Sequence, residues 1–75
     1  MKRFMGMMPK DEVKIEKVYK DSFGLKIIIQ AGEYGWSILF ADCSSIYQDT
    51  NETPENNFEA ALAELKTHIS DIKED

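Results

Sequence analysis

Residues 25–42 read LKIIIQAGEYGWSILFAD: two apolar runs, rich in β-branched and aromatic side chains, parted by Gly32-Glu33-Tyr34-Gly35. Such side chains fit a pleated, half-buried surface, and paired glycines supply the backbone freedom of a hairpin turn, so the stretch predicts antiparallel strands over 25–31 and 36–42. With Gly32 to Gly35 as the loop, Ala31 faces Trp36, Ile29 faces Ile38, Ile27 faces Phe40 and Leu25 faces Asp42. Nearly all the bulky side chains then share one face, and a one-residue slip would scatter them.

Upstream, Val13 and Ile15 alternate with Lys14 and Glu16 before Val18 and Tyr19, which predicts a strand over 12–19 closed by the turn residues Asp21, Ser22 and Gly24. Pairing Tyr19 with Leu25 sets Ile15 beside Ile29 and Val13 beside Ala31 on the same face. The opposite face is mixed, with an apolar patch of Val18, Ile28, Leu39 and Ala41. Downstream the chain turns polar, and the brief apolar pair Ile46 and Tyr47 leaves a fourth, short edge strand open. Thr53-Pro54-Glu55 then joins a hydroxyl cap, a proline at the first helical position and a carboxylate at the positive end of the helix dipole. Phe58, Ala61, Leu62, Leu65, Ile69 and Ile72 recur at three- and four-residue steps, predicting a helix over 54–72 laid on Ile27, Ile29, Trp36, Ile38 and Phe40. The expected fold class is α+β: a single two-layer domain, 1–75, with a three-stranded antiparallel β-meander over 12–47, a fourth strand being open, and one C-terminal helix across one face.

The composition agrees with one small core. At 75 residues, 43% apolar and 31% charged, the chain has material for a single domain. A net charge of −5 disfavours a phosphate backbone as the main partner. The lone Cys43 cannot close an internal disulfide, which favours a reducing, cytoplasmic setting. Lys2 and Arg3 precede only Phe4, Met5, Met7 and Met8, too few apolar residues for a secretory leader, and no run approaches the roughly 18 apolar residues that cross a bilayer. No membrane association is expected. Residues 1–10 are a candidate flexible terminus; alternatively its apolar side chains cover the sheet's second face near Ile28 and Leu39, or form a partner or homodimer surface.

Charge is unevenly spread. Residues 1–47 hold seven basic and six acidic side chains, and residues 48–75 hold two and eight. Glu55, Glu59 and Glu64 on the helix are therefore candidates for meeting a basic partner, against the plainer reading of a solvated face. Val18, Ile28 and Leu39 on the second sheet face and Tyr34 at the hairpin tip complete the candidate contact residues. Gly32 and Gly35 have the spacing of a backbone-clamping GxxG loop, but they join strands around Glu33, which favours the turn. Cys43 and His68 are the one pair resembling a nucleophile and its base, and nothing in their spacing brings them together. No His, Cys and carboxylate spacing implies a metal, and no motif implies a cofactor.

The stretches FGLKIIIQAGEYGWSILFADCSS and ENNFEAALAELKTHI resemble small uncharacterised proteins of Gram-positive bacteria and their phages or prophages. That resemblance implies an acidic binding protein, in some cases one that blocks a host protein. The double-stranded RNA-binding domain shares three strands and a C-terminal helix, but this chain lacks room for its first helix and is acidic where that family is basic. The expectation is a non-catalytic protein-binding or regulatory module whose partner is another protein or a second copy of itself. The alternative is weak nucleic-acid binding through the first strands, with Lys14, Lys17, Lys26, Tyr34 and Trp36, and with steep salt dependence.

Overall fold

Residues 8–75 are the part of the chain that the computed structural model describes. They form β1 (Ile15–Lys20), β2 (Lys26–Ala31), β3 (Gly35–Leu39), β4 (Ser45–Asp49), α1 (Pro54–His68) and β5 (Lys73–Glu74). The strands make one antiparallel sheet in the order β4-β3-β2-β1-β5, and α1 crosses one face, chiefly over β2 and β3. The α+β architecture is the expected one. The fourth strand is present, with Ile46 opposite Ile38, and a fifth that the periodicity did not announce closes the far edge.

The central hairpin has the predicted register, Ala31 opposite Trp36 and Ile29 opposite Ile38. Its outer end differs, because β3 stops at Leu39 and Phe40 enters a tight turn. Phe40 N–H donates to the Ser44 carbonyl (2.8 Å) and Cys43 N–H to the Phe40 carbonyl (3.0 Å), with Cys43 at φ 71°. Asp42 Oδ1 accepts from the Ser44 N–H (3.0 Å) and hydroxyl (2.6 Å), so Asp42 is a turn residue and faces no strand partner.

β1 begins later than predicted, since Lys10–Glu12 make a single 3-10 turn after Pro9. It also pairs two residues further along β2: Tyr19 faces Ile27 and Ile15 faces Ala31. The turn explains the shift. Asp21 Oδ1 accepts the N–H groups of Phe23 and Leu25 (both 2.9 Å), and Gly24 takes φ 82°, so Leu25 belongs to the turn instead of the ladder. A shift of two leaves every side chain on its intended face.

Thr53 Oγ1 accepts from the Asn56 N–H (3.1 Å) and starts α1 as its sequence foretold. The helix ends at His68 instead of continuing to 72, with Ile69 already extended at φ −138°. Ser70 and Asp71 are weak helix formers, and the extended tail gains backbone pairing with Tyr19 and Lys20 and the ion pairs Lys17–Glu74 (3.4 Å) and Lys20–Asp75 (3.3 Å). Ile69 and Ile72 still pack on the core from this extended path.

The core lies between α1 and the sheet: Ile27, Ile29, Trp36 and Ile38 below, Phe58, Ala61 and Leu65 above. At its hairpin end Asn57, 1% exposed, donates through Nδ2 to the carbonyls of Gly32 (2.6 Å) and Glu52 (3.4 Å), binding the first turn of α1 to the β2–β3 loop. Asn57 Oδ1 is buried with no partner. Asn57→Ala strands the Gly32 carbonyl but also removes that unpaired oxygen, so the expected loss of stability is modest, about 1 kcal/mol by urea denaturation. Tyr19 is buried at the opposite end of β1, where burial first and the Glu74 carboxylate second hold its phenol above the ordinary range. Met8 is buried with its methyl group beside the space that a Gly32 side chain would fill. The readings made of Phe4, Met5, Met7 and the terminal residues before Met8 fall outside the described residues. Among the described residues no helix is long and apolar enough to cross a membrane.

Candidate functional site

Antiparallel order brings three distant segments to one end of the molecule: the β1–β2 turn, the β3–β4 turn and the C-terminus of α1. Between them lies an open cleft of about 330 Å³. Ile27, Phe40 and Ile69 line it with apolar surface, continuous with the core, and Leu25 and Ala41 add to that lining. Its polar lining is Asp21, Asp42, Ser44 and His68. Asp42 is held below the usual carboxylate range by the Ser44 hydroxyl first and the Ser44 N–H second, so it is anionic at neutral pH. His68 Nε2 lies 3.1 Å from Glu64 Oε2, and its ring stands edge-on to Phe40 at 6.4 Å between centroids. The negative end of the α1 dipole falls at this same end, since His68 is the last helical residue.

The cleft is flanked by exposed apolar surface. Phe23 (87% exposed) and Leu25 (52%) are two of the three large hydrophobic side chains most open to solvent among the described residues, and both belong to the turn whose ends line the cleft. Their signal was present in the sequence as two bulky residues beside the turn-forming Asp21, Ser22 and Gly24. The simple alternation puts Leu25 on the inner face, whereas the Asp21 turn takes it out of the ladder and into the wall of the cleft.

The other candidates are placed as follows. Val18, Ile28 and Leu39 do come together, as one half-buried row across β1, β2 and β3 on the face away from α1. Beside it runs a polar row in which Gln30 Nε2 donates to Glu16 Oε2 (3.2 Å) and the Ser37 hydroxyl to Gln30 Oε1 (3.4 Å). Ala41 is not part of that patch; it lines the cleft. Glu55 and Glu59 are exposed on one flank of α1, whereas Glu64 pairs with His68. Five residues of helix separate Glu64 from Glu59, a rotation of about 140°, so the three carboxylates do not share a face. Tyr34, 51% exposed, sits at the opposite end of the molecule beside a polar depression lined by Asp11, Glu12, Lys14 and Glu33. Cys43 is exposed in its turn and does not line the cleft that His68 borders. Among the described residues no group of three or more His, Cys, Asp or Glu is arranged to hold a metal ion.

Two of the residues considered for nucleic acid are differently employed. Trp36 is buried in the core, and Lys17 lies on the α1 side of the sheet, its ammonium 5.7 Å from the centre of the Phe58 ring. Comparison with protein-family models, with curated proteins and with solved structures found no match to the chain.

Proposed function

We propose that this chain is a non-catalytic protein-binding module of the cytoplasm, and that it meets its partner at the cleft end of the sheet. The observation that carries this reading is the coincidence of Phe23 and Leu25, both exposed, with an apolar cleft that opens from the core. Large apolar side chains held in solvent by a well-bonded turn contribute little to folding, and surfaces of this kind mark protein contacts. A likeness to small uncharacterised phage and prophage proteins, some of which bind and block a host protein, belongs to the same proposal.

Phe23→Ser and Leu25→Ser test it, because both positions are exposed and the fold is expected to keep its unfolding midpoint. A protein retained from host lysate by the wild-type chain and lost with either serine variant is the expected result. Retention unchanged in both variants but lost in Glu55→Gln/Glu59→Gln moves the contact to the helix flank and overturns the assignment to the cleft. A self-associated wild-type chain, detected by light scattering, that the serine variants convert to monomer identifies the partner as a second copy.

Weak nucleic-acid binding retains one observation in its favour. Lys20 stands opposite both Lys26 and Lys73, so three lysines form a row across β5, β1 and β2 on the face away from α1. Lys20 is, however, paired with Asp75 at 3.3 Å. Under the protein-binding reading, DNA and RNA do not retain the chain even at low salt; retention that weakens steeply with added salt and with Lys26→Gln supports nucleic acid instead.

A further inference from the structure

The cleft combines features that select one kind of side chain. Its Ile27, Phe40 and Ile69 surface favours an apolar or aromatic-stacking body. Its polar lining favours positive charge: Asp21 comes from the β1–β2 turn, Asp42 from the β3–β4 turn, and the negative end of α1 from a third direction. Both carboxylates are already anchored. The Phe23 and Leu25 N–H groups bond to Oδ1 at Asp21, and the Ser44 N–H and hydroxyl bond to Oδ1 at Asp42, whose own N–H adds to the hold on its carboxylate. Each Oδ2 remains an acceptor on a carboxylate whose orientation is fixed before any ligand arrives, which lowers the entropy lost on binding.

We infer that the cleft receives an arginine side chain presented by the partner protein. The aliphatic stem lies against Leu25 and Ile69, over the buried Ile27, the guanidinium plane rests on Phe40, and its N–H groups divide between Asp21 Oδ2 and Asp42 Oδ2. Arginine fits better than lysine for three physical reasons. It carries five donors in a planar fork, enough for two acceptors from different turns; it is more weakly hydrated than an ammonium; and it stacks on aromatic rings. A neutral apolar side chain would bury the carboxylate side of the cleft without compensating its charge.

This inference rests on the protein-binding reading for the claim that the arginine arrives on another protein, and a small probe separates the two. Nα-acetyl-arginine amide is titrated into the full chain, with the lysine, norleucine and glutamate amides as comparisons, while NMR follows the Ile27 and Ile69 methyls and the Phe40 ring. The expected result is saturable shifts at these three residues with the arginine probe, and an affinity about tenfold weaker in Asp42→Asn and in Asp21→Asn, since each removes one charge-assisted contact. Both asparagines keep a side-chain oxygen for the turn hydrogen bonds, and unchanged unfolding midpoints confirm it. Equal affinity for the norleucine amide, equal affinity for the lysine amide, absence of saturation, or indifference to both asparagine variants overturns the proposal. If the arginine probe binds as expected while Phe23→Ser and Leu25→Ser leave partner capture intact, the cleft's preference stands and the protein-binding assignment falls. If those serine variants abolish capture but the arginine probe does not compete for it, the reverse holds.

Discussion

Gly35→Ala is expected to lower the free energy of unfolding by about 3 kcal/mol or more, read as the shift of a urea or thermal unfolding midpoint. Gly35 opens β3 at φ 153°, a conformation that side chains with a Cβ rarely adopt. A Cβ there also lands on the Gln48 backbone carbonyl, in the neighbouring strand, where Gly35 pairs with Asp49. Backbone cannot swing aside as a flexible side chain can, so relief requires β3 and β4 to part. A chain of this length has roughly 4 to 11 kcal/mol of stability in total, and a loss on this scale removes a large share of it. An unfolding midpoint within experimental error of wild type would show that the hairpin tolerates a different path and would contradict this account.

Adjacent residues on β2 supply the second large effect and its internal control. Ile29 is fully buried between Lys17 on β1 and Ile38 on β3, beneath α1. Ile29→Ala leaves a cavity that close-packed neighbours on both sides cannot fill, and the expected cost is about 3 to 4 kcal/mol. Ile28, one residue earlier, points to the other face in the row with Val18 and Leu39 and is only half-buried. Ile28→Ala is expected to cost about 1 kcal/mol, in proportion to the smaller apolar area it withdraws. Equal losses at the two positions would mean that the face away from α1 is packed as tightly as the core.

The inner face behind the Ile29 prediction is legible in the sequence, whereas the approach of Gly35 to the Gln48 carbonyl is not, because the sequence leaves β4 open. The alternation of Ile27, Ile29, Trp36 and Ile38 sets the inner face because, with a period of two, only registers of one parity bury all four together. Thr53 and Pro54 announced α1 through the chemistry of its unpaired N–H groups. β5 was not legible, because Lys73 and Glu74 have no apolar pattern; they pair only because β1 offers an unfilled edge and because Lys17 and Lys20 stand ready for Glu74 and Asp75. The cleft was hidden for a related reason. Its lining comes from three segments far apart in sequence, and their meeting depends on where two turns end the strands. The division among the glutamates, by contrast, was available from arithmetic alone: a spacing of five on a helix places Glu64 well away from Glu59.

The β1–β2 connection shows a tolerance of another kind. Its pairing differs by two residues from the simplest one, yet Ile15 and Tyr19 still face α1. What the core constrains here is the parity of the β1–β2 pairing, not the length of the turn that joins them. Insertions or deletions that move β1 by an even number of residues preserve inside and outside, whereas an odd step turns the whole strand over. An insertion that the Asp21–Leu25 turn absorbs by widening leaves β1 in place, so the turn can retune one wall of the cleft while the core's pattern stays unaltered.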